Sequence, residues 1–459
     1  MSRSQLHQVV KFNRAMLINA GSLVGTTLVT SGFGFIYWWL AARLFPPRFV
    51  GVASAEISVM LLLGTLSVVG LNTLLIGELP RQTGREGSLI SAALLLTAGI
   101  GAGTGALFAL IAPLLSASFG PLAANVGSVL LFALGVSLTS VALVLDQALI
   151  GLLWGGLQLW RNMFFSLVKL CALFLVSLWL AHATGMAIYN TWTLGNAFSL
   201  LALAAIALGQ KKWPHGMAHP QWGLLHKLGP AALRHHALNL ALLAPSQLLP
   251  VMITVLLSAT ANAWFYIAMG IATIILTFSS ALTTVLYAEG ALRPDMLRQK
   301  FRLSLSIAFG VSVVACAVLC SASAQILGLF GHSYATGAVW CLRILALESF
   351  PVIIRNHYTA IRRIEGRMGQ AMLPIIIIGG LQLVGAALGA RIAGVNGLCL
   401  GWLVVDCVGA LFLLPPVYQA VKTQHVVEVE QAGLLAEPPV RAIDDLTDTE
   451  LLVRVLEER

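Results

Sequence analysis

The chain reads as an all-α polytopic membrane protein whose twelve transmembrane helices form two six-helix bundles. Three observations predict this. Twelve apolar runs, each near the 20 residues that cross a bilayer core of roughly 30 Å, fill most of the sequence. Hydrophobic residues make up 58% of the 459 and charged residues only 10%, against roughly 25% charged in an ordinary soluble domain. Lys and Arg also collect in alternate gaps between the runs. Backbone in lipid must satisfy its polar groups internally, so each run is expected to be a helix.

The first six spans are placed at 16–42, 50–77, 88–115, 124–149, 162–183 and 189–209. Span one is too long for a signal-peptide core and is expected to stay in the protein. It carries Gly21-x-x-x-Gly25, and span three carries Gly101-x-Gly103-x-Gly105; both permit close helix approach. The second six are placed at 235–258, 262–288, 303–328, 337–360, 369–390 and 394–419. Pro245 and Pro250 are expected to bend or break span seven. The chain thus divides into an N-terminal lobe at 1–209, a cytoplasmic linker at 210–234, a C-terminal lobe at 235–420 and a tail at 421–459. Trp213, Trp222, Leu224, Leu225 and Leu228 suit the linker to the membrane–water boundary.

Under this assignment the N-terminus, the even-numbered connectors and the start of the tail hold 18 Lys and Arg, while the odd-numbered connectors hold only Arg43, Arg48 and Arg391. The positive-inside rule then places both termini in the cytoplasm. Residues 1–420 hold 23 basic and 9 acidic residues, a balance of +14; residues 421–459 hold 4 and 9, a balance of −5. The tail reads as a solvated appendage with one short amphipathic helix around Leu451, Leu452 and Leu456. The basic residues form no continuous face, so the net charge of +9 argues for the anionic cytoplasmic leaflet rather than for nucleic acid. The six cysteines lie in or beside apolar runs and read as packing residues.

The two halves show weak self-similarity. Residues 145–162 align with 356–373 at a shift of 211, and residues 49–63 align with 264–278 at a shift of 215. Such a six-plus-six duplication suits alternating access by two rocking halves.

Seven charged residues fall inside the spans: Glu56, Asp146, Lys169, Arg343, Glu348, Arg355 and Asp406. Each costs at least ~2.5–3.5 kcal/mol at the bilayer centre, so each wants a wet cavity or a partner. Arg355, Lys169, Arg343, Glu348, Asp146 and Gln147 are candidate substrate-contacting residues, and Arg355 leads because a guanidinium offers phosphate a bidentate fork. Asp146 and Lys169 sit on antiparallel neighbours and are expected to pair, unless Lys169 meets a substrate phosphate. Glu348 and Arg355 share a face but stand ~10 Å apart along the axis, too far to pair directly. Arg343 either lines the cavity or snorkels to the surface. Glu56 and Asp406 are candidate sites for a coupling H⁺ or Na⁺; the alternative for Glu56 is a packing carboxylate bonded to Ser54 or Ser58, and for Asp406 a structural role. The sequence holds no P-loop, no nucleophile elbow, no HExxH and no metal-ligand cluster. It calls for no cofactor and no enzymatic activity.

The segments 31–58 (SGFGFIYWWLAARLFPPRFVGVASAEIS), 144–170 (VLDQALIGLLWGGLQLWRNMFFSLVKL) and 326–347 (ILGLFGHSYATGAVWCLRILAL) resemble the polysaccharide and oligosaccharide (Wzx-like) flippases of the multidrug/oligosaccharidyl-lipid/polysaccharide (MOP) exporter superfamily. The resemblance covers residues ~15–420. It implies a protein of the bacterial cytoplasmic membrane that moves a lipid-linked oligosaccharide (a polyprenyl-diphosphate glycan) outward, alongside membrane lipids and glycan polymerase or assembly proteins as partners. The chain departs from cation-rich members, since its spans hold four acids against three bases. That leaves open a cation-coupled exporter of the multidrug (MATE-like) branch. A membrane glycosyltransferase or acyltransferase would need acids or histidines clustered at one membrane face, and none is seen.

Overall fold

The computed structural model describes residues 26, 29–81, 84–179, 185–209, 220, 222–292, 297–365 and 367–422. The expected tail helix, Gly21 and Gly25, and linker residues 210–219 and 221 lie outside the described residues. The described chain is helical, with no strand among the described residues. Helix α1 covers 29–44, followed by α2 (Pro47–Ser67), α3 (Leu71–Glu78), α4 (Glu86–Leu115), α5 (Val126–Gly151), α6 (Gly155–Trp179) and α7 (Gly185–Gly209). The second half holds α8 (Trp222–Leu256), α9 (Ala259–Leu292), α10 (Leu297–Gly328), α11 (His332–Gly337), α12 (Val339–Leu347), α13 (Ser349–Ile364) and α14 (Met368–Lys422).

Successive spans, with α2 and α3 counted as one, α11 to α13 as one and α14 as two, run in opposite directions and leave connectors at two ends. The upper end carries 45–46, 116–125, 257–258 and 329–331; the lower end carries 79–85, 152–154 and 365–367. Local chemistry explains the element starts. Pro47 opens α2 where a missing N–H costs nothing. The Asn125 side chain accepts from the Ser128 amide at 2.9 Å and caps α5.

Nine helices among the described residues are long and apolar enough to cross a membrane. The difference from the expected twelve has physical causes. Only 29–44 of span one is described continuously. Span ten is split into α12 and α13, because the Pro351 ring obstructs the Leu347 carbonyl one turn back and the chain turns at Glu348. Spans eleven and twelve form one element, α14, that reverses at Ala393 and Gly394, where Gly394 adopts a φ of 58° that a side chain would resist. Span two ends early as well. Val69 and Gly70 both take positive φ (49° and 80°), so the expected 50–77 becomes α2 and α3. By contrast α8 runs through Pro245 and Pro250 without interruption, and linker residues 222–234 are its first turns.

Val69 is β-branched and held in the left-handed region, a conformation costing roughly 1–2 kcal/mol. Val69→Gly is therefore expected to raise stability by about 1 kcal/mol, read as a higher thermal unfolding midpoint in detergent; an unchanged or lower midpoint would show the turn unstrained.

The helices recur at an offset of 211. Shifting the α4 start at Glu86 by 211 gives the α10 start at Leu297; shifting α2, α6 and α7 lands within three residues of the starts of α9 and α14 and of the outgoing arm of α14 after Gly394. The alignment of 145–162 with 356–373 follows this offset. The alignment at 215 is one helical turn out of register, its apolar matches reflecting composition.

At the upper end the halves meet through α2 and α9, and α8 also packs on α2, α3 and α4. Gly51 and Asn262 occupy equivalent positions 211 apart, and Asn262 Nδ2 donates to the Gly51 carbonyl at 2.8 Å and to Ser54 Oγ at 3.0 Å. Trp38 packs on Tyr266 with ring centroids 4.6 Å apart. Further out, Trp39 Nε1 and Arg43 Nε both donate to the Leu329 carbonyl, at 2.9 and 2.7 Å. This carbonyl lies just past the α10 C-terminus, where a cation is favourably placed.

Candidate functional site: a hydroxyl stripe and two buried ionic centres

One face of α9 reports how the halves diverge. At 3.6 residues per turn, Asn262, Tyr266, Thr273, Thr277, Ser280 and Thr284 fall within about 60° of one another. The first two are covered by the N-terminal half. The last four are exposed. Below the contact with the N-terminal half the same face is exposed, and there it carries hydroxyls. Thr273, Thr277, Ser280 and Thr284 donate to the carbonyls of Met269, Thr273, Leu276 and Ser280 one turn back. Their hydroxyl oxygens are left to accept. Asn356 Nδ2, from α13, donates to Ser280 Oγ at 3.1 Å and joins the same stripe. Sequence reasoning missed this stripe; a Thr/Ser repeat at helical spacing inside an apolar run was its signal.

Lys169 forms the ionic centre of the N-terminal half. It projects from α6 and is 3% exposed. Its Nζ lies 3.9 Å from the Trp192 ring centroid, 4.7 Å from Phe165 and 5.2 Å from Tyr37. The cage is held in place, since Tyr37 Oη donates to the Ile188 carbonyl at 3.1 Å and lies 2.7 Å from Thr191 Oγ1. No carboxylate pairs with Lys169 among the described residues.

The expected Asp146–Lys169 pair is not formed. Asp146 instead takes a two-pronged contact from Arg161, Nε to Oδ1 at 2.8 Å and Nη2 to Oδ2 at 2.6 Å, with Asn162 Nδ2 on Oδ2 at 3.1 Å. The reason is the hairpin. Trp154 N donates to the Leu149 carbonyl at 2.7 Å and closes a turn of three residues, so α6 starts at Gly155 and Arg161 lies inside it, opposite Asp146. Reading 150–161 as a connector had hidden Arg161. Gln147, beside Asp146, is half-buried.

Glu56 is fully buried on α2, and neither carboxylate oxygen has a partner among the described residues. The alternative, a bond to Ser54 or Ser58, is not formed: Ser54 Oγ donates to the Gly51 carbonyl and accepts from Asn262, and Ser58 Oγ makes no bond to Glu56.

In the C-terminal half, α13 and α14 share a ladder of polar rungs. Trp402 Nε1 donates to Glu348 Oε1 at 2.8 Å, and Arg355 Nη1 meets Asp406 Oδ1 at 2.7 Å. Glu348 and Arg355 each take a separate partner, as their axial separation requires. Arg355 keeps 20% of its side chain exposed, while Asp406 keeps 2%. Arg343 stays near the upper end, donating to the Cys320 carbonyl and to Ser323 Oγ, with its guanidinium 4.9 Å from the Trp340 ring centroid. All three of these partners lie in its own half. Among the described residues no group of three His, Cys, Asp or Glu is arranged to hold a metal.

No protein-family profile and no curated protein matches the sequence. Solved structures do match. An inward-facing multidrug resistance MATE family transporter of the MOP superfamily superposes with a TM-score of 0.67 at 15% identity, over 88% of this chain and 99% of that one. The lipid II flippase MurJ, in an inward closed conformation, gives 0.64 at 12% identity over 86% of each chain. A MOP superfamily transporter from Pyrococcus furiosus, described as having a binding pocket of reverse polarity, gives 0.54 at 15% identity over 90% and 96%. The chain therefore has the all-helical fold shared by MATE transporters and MurJ, a fold of membrane transporters and flippases of the MOP superfamily.

Proposed function

We propose that the protein flips a lipid-linked oligosaccharide, or exports a polysaccharide, across the bacterial cytoplasmic membrane by alternating access. Two observations carry this reading: a buried cation, Lys169, with no carboxylate partner among the described residues, and an exposed stripe of hydroxyl acceptors on α9. A polyprenyl-diphosphate glycan has the complementary chemistry: an anionic phosphate end and a sugar end rich in hydroxyl donors. The lipid tail stays in the bilayer while the headgroup crosses between the halves. The halves 1–209 and 235–420 rock about the α2–α9 contact, the lower end faces the cytoplasm, and both termini lie there, in keeping with the placement of Lys and Arg. Arg355, with a fifth of its side chain open, remains the second candidate for a phosphate contact.

The test is reconstitution in vesicles with a fluorescent polyprenyl-diphosphate oligosaccharide, scored by the fraction reaching the opposite leaflet. Protein-dependent flipping is expected. Lys169→Ala is expected to slow it at least tenfold, about the 1.4 kcal/mol of one modest phosphate contact. Flipping at the rate of empty vesicles would overturn the reading.

A second reading is favoured by one observation. Glu56, buried with both oxygens unpartnered, suits a carrier of H⁺ or Na⁺ and hence a cation-coupled small-molecule exporter. Export of cationic dyes down an ion gradient, abolished in Glu56→Gln, would establish it in place of the first.

A further inference from the structure

Three rings around an ammonium is the arrangement by which proteins recognise alkylammonium ligands. Tyr37 comes from α1, Phe165 from α6 and Trp192 from α7, so three separate helices converge on one point. Tyr37 is fully buried and its hydroxyl is bonded, which fixes one wall. Phe165 and Trp192 are half-buried while Lys169 is 3% exposed, so the lysine side chain itself closes the cage. Edge contacts between Tyr37 and Trp192 at 5.9 Å, and between Phe165 and Trp192 at 5.7 Å, brace the rings against each other without help from the lysine. A core lysine retained only for packing would not need three π faces directed at its nitrogen.

We propose that the Tyr37–Phe165–Trp192 cage is an alkylammonium-binding site that the chain fills with its own Lys169. The side chain acts as a tethered ligand. It bars free organic cations from the cage and leaves the N-terminal half with a fixed positive centre that selects against them. The consequence for selectivity rests on the reading above; the cage itself does not. It also separates the two readings of function, because an exporter of organic cations gains nothing from a cation site that is already occupied.

The test removes the tether. Lys169→Ala deletes three carbons and the ammonium, which together are n-propylammonium. Full-length protein in detergent is titrated calorimetrically with n-propylammonium and tetramethylammonium chloride, at constant ionic strength with NaCl as control. Lys169→Ala is expected to bind both with a Kd on the order of 1 mM, as suits a ligand of a few heavy atoms. The wild type is expected to bind at least tenfold more weakly. Lys169→Met, whose thioether chain fills the cage and keeps the packing, is expected to behave like the wild type and guards against misfolding of the alanine variant. Equal affinity in wild type and Lys169→Ala, or equal affinity in the Met and Ala variants, would overturn the proposal. So would a folded Lys169→Ala that binds neither amine, fold being judged by a cooperative thermal transition. Amine binding by Lys169→Ala with undiminished flipping would uphold the cage and remove Lys169 from the transport step, so the two readings fail separately.

Discussion

Arg161→Ala is expected to lose about 3 kcal/mol of stability and most of the folded protein, the largest effect of any single truncation in the N-terminal half. Arg161 is 3% exposed and sits two turns into α6; Asp146 is 14% exposed on α5. The alanine strands a partly buried carboxylate that now receives three hydrogen bonds and keeps only the one from Asn162. An uncompensated carboxylate in this setting is worse than no carboxylate. Arg161→Met with Asp146→Leu is therefore expected to recover most of the loss, because the apolar pair leaves no charge behind. Asp146→Asn alone is expected to be milder, since the amide oxygen still accepts from Arg161. The measurement is the thermal midpoint and the monodisperse fraction after detergent extraction. A midpoint for Arg161→Ala equal to the wild type, or a double variant worse than the single, would show that the fork contributes nothing to the fold.

This pair also marks where sequence ceased to suffice. The spans were legible because an apolar helix in lipid must be long and must hide its polar groups, and both demands are local. The offset of 211 was visible in residues 145–162 and 356–373, where Ile150 matches Ile361 and Gly155 matches Gly366. Partners across helices were not legible. Asp146 was matched with Lys169 because Arg161 was left in the connector, whereas Leu153 at a φ of 60° closes a turn of three residues that puts Arg161 inside α6, opposite Asp146. The break in span ten follows from Pro351, a purely local signal that a hydropathy window averages away. The Arg355–Asp406 and Glu348–Trp402 rungs join residues about 50 positions apart, and their register depends on how α14 turns at Gly394. The hydroxyl stripe on α9 was present as a pattern, but its meaning required the knowledge that the same face is buried above and open below.

Gly51→Ala is expected to reduce transport at least tenfold while the protein stays folded. Gly51 lies at the closest approach of the halves, and a Cβ there would overlap the Ala259 carbonyl oxygen and crowd the Ala263 amide. Both are backbone atoms, so no rotamer change relieves the contact. The halves must separate at the upper end by an ångström or more, which weakens the Asn262 bond to the Gly51 carbonyl and loosens Trp38 from Tyr266. The core at the upper end is shared by both halves and takes the strain, while the cores built within one half, around Leu75 and Ile90 in the first and around Phe301 and Ile375 in the second, keep the protein folded. A shift of only ~1.4 kcal/mol against the closed upper end changes its population tenfold, and alternating access needs both arrangements populated. The readout is labelling by a membrane-impermeant maleimide at Ala261→Cys, in a background without the six native cysteines; Ala261 is 7% exposed beside this contact. Labelling is expected to be faster when Gly51→Ala is added to this background than when Gly51 is kept. Equal rates, together with unchanged flipping, would mean that the α2–α9 contact is not the closure on which the cycle turns. Asn262→Ala supplies the graded comparison. It removes two hydrogen bonds but adds no atom, so it is expected to accelerate labelling less than the added methyl does.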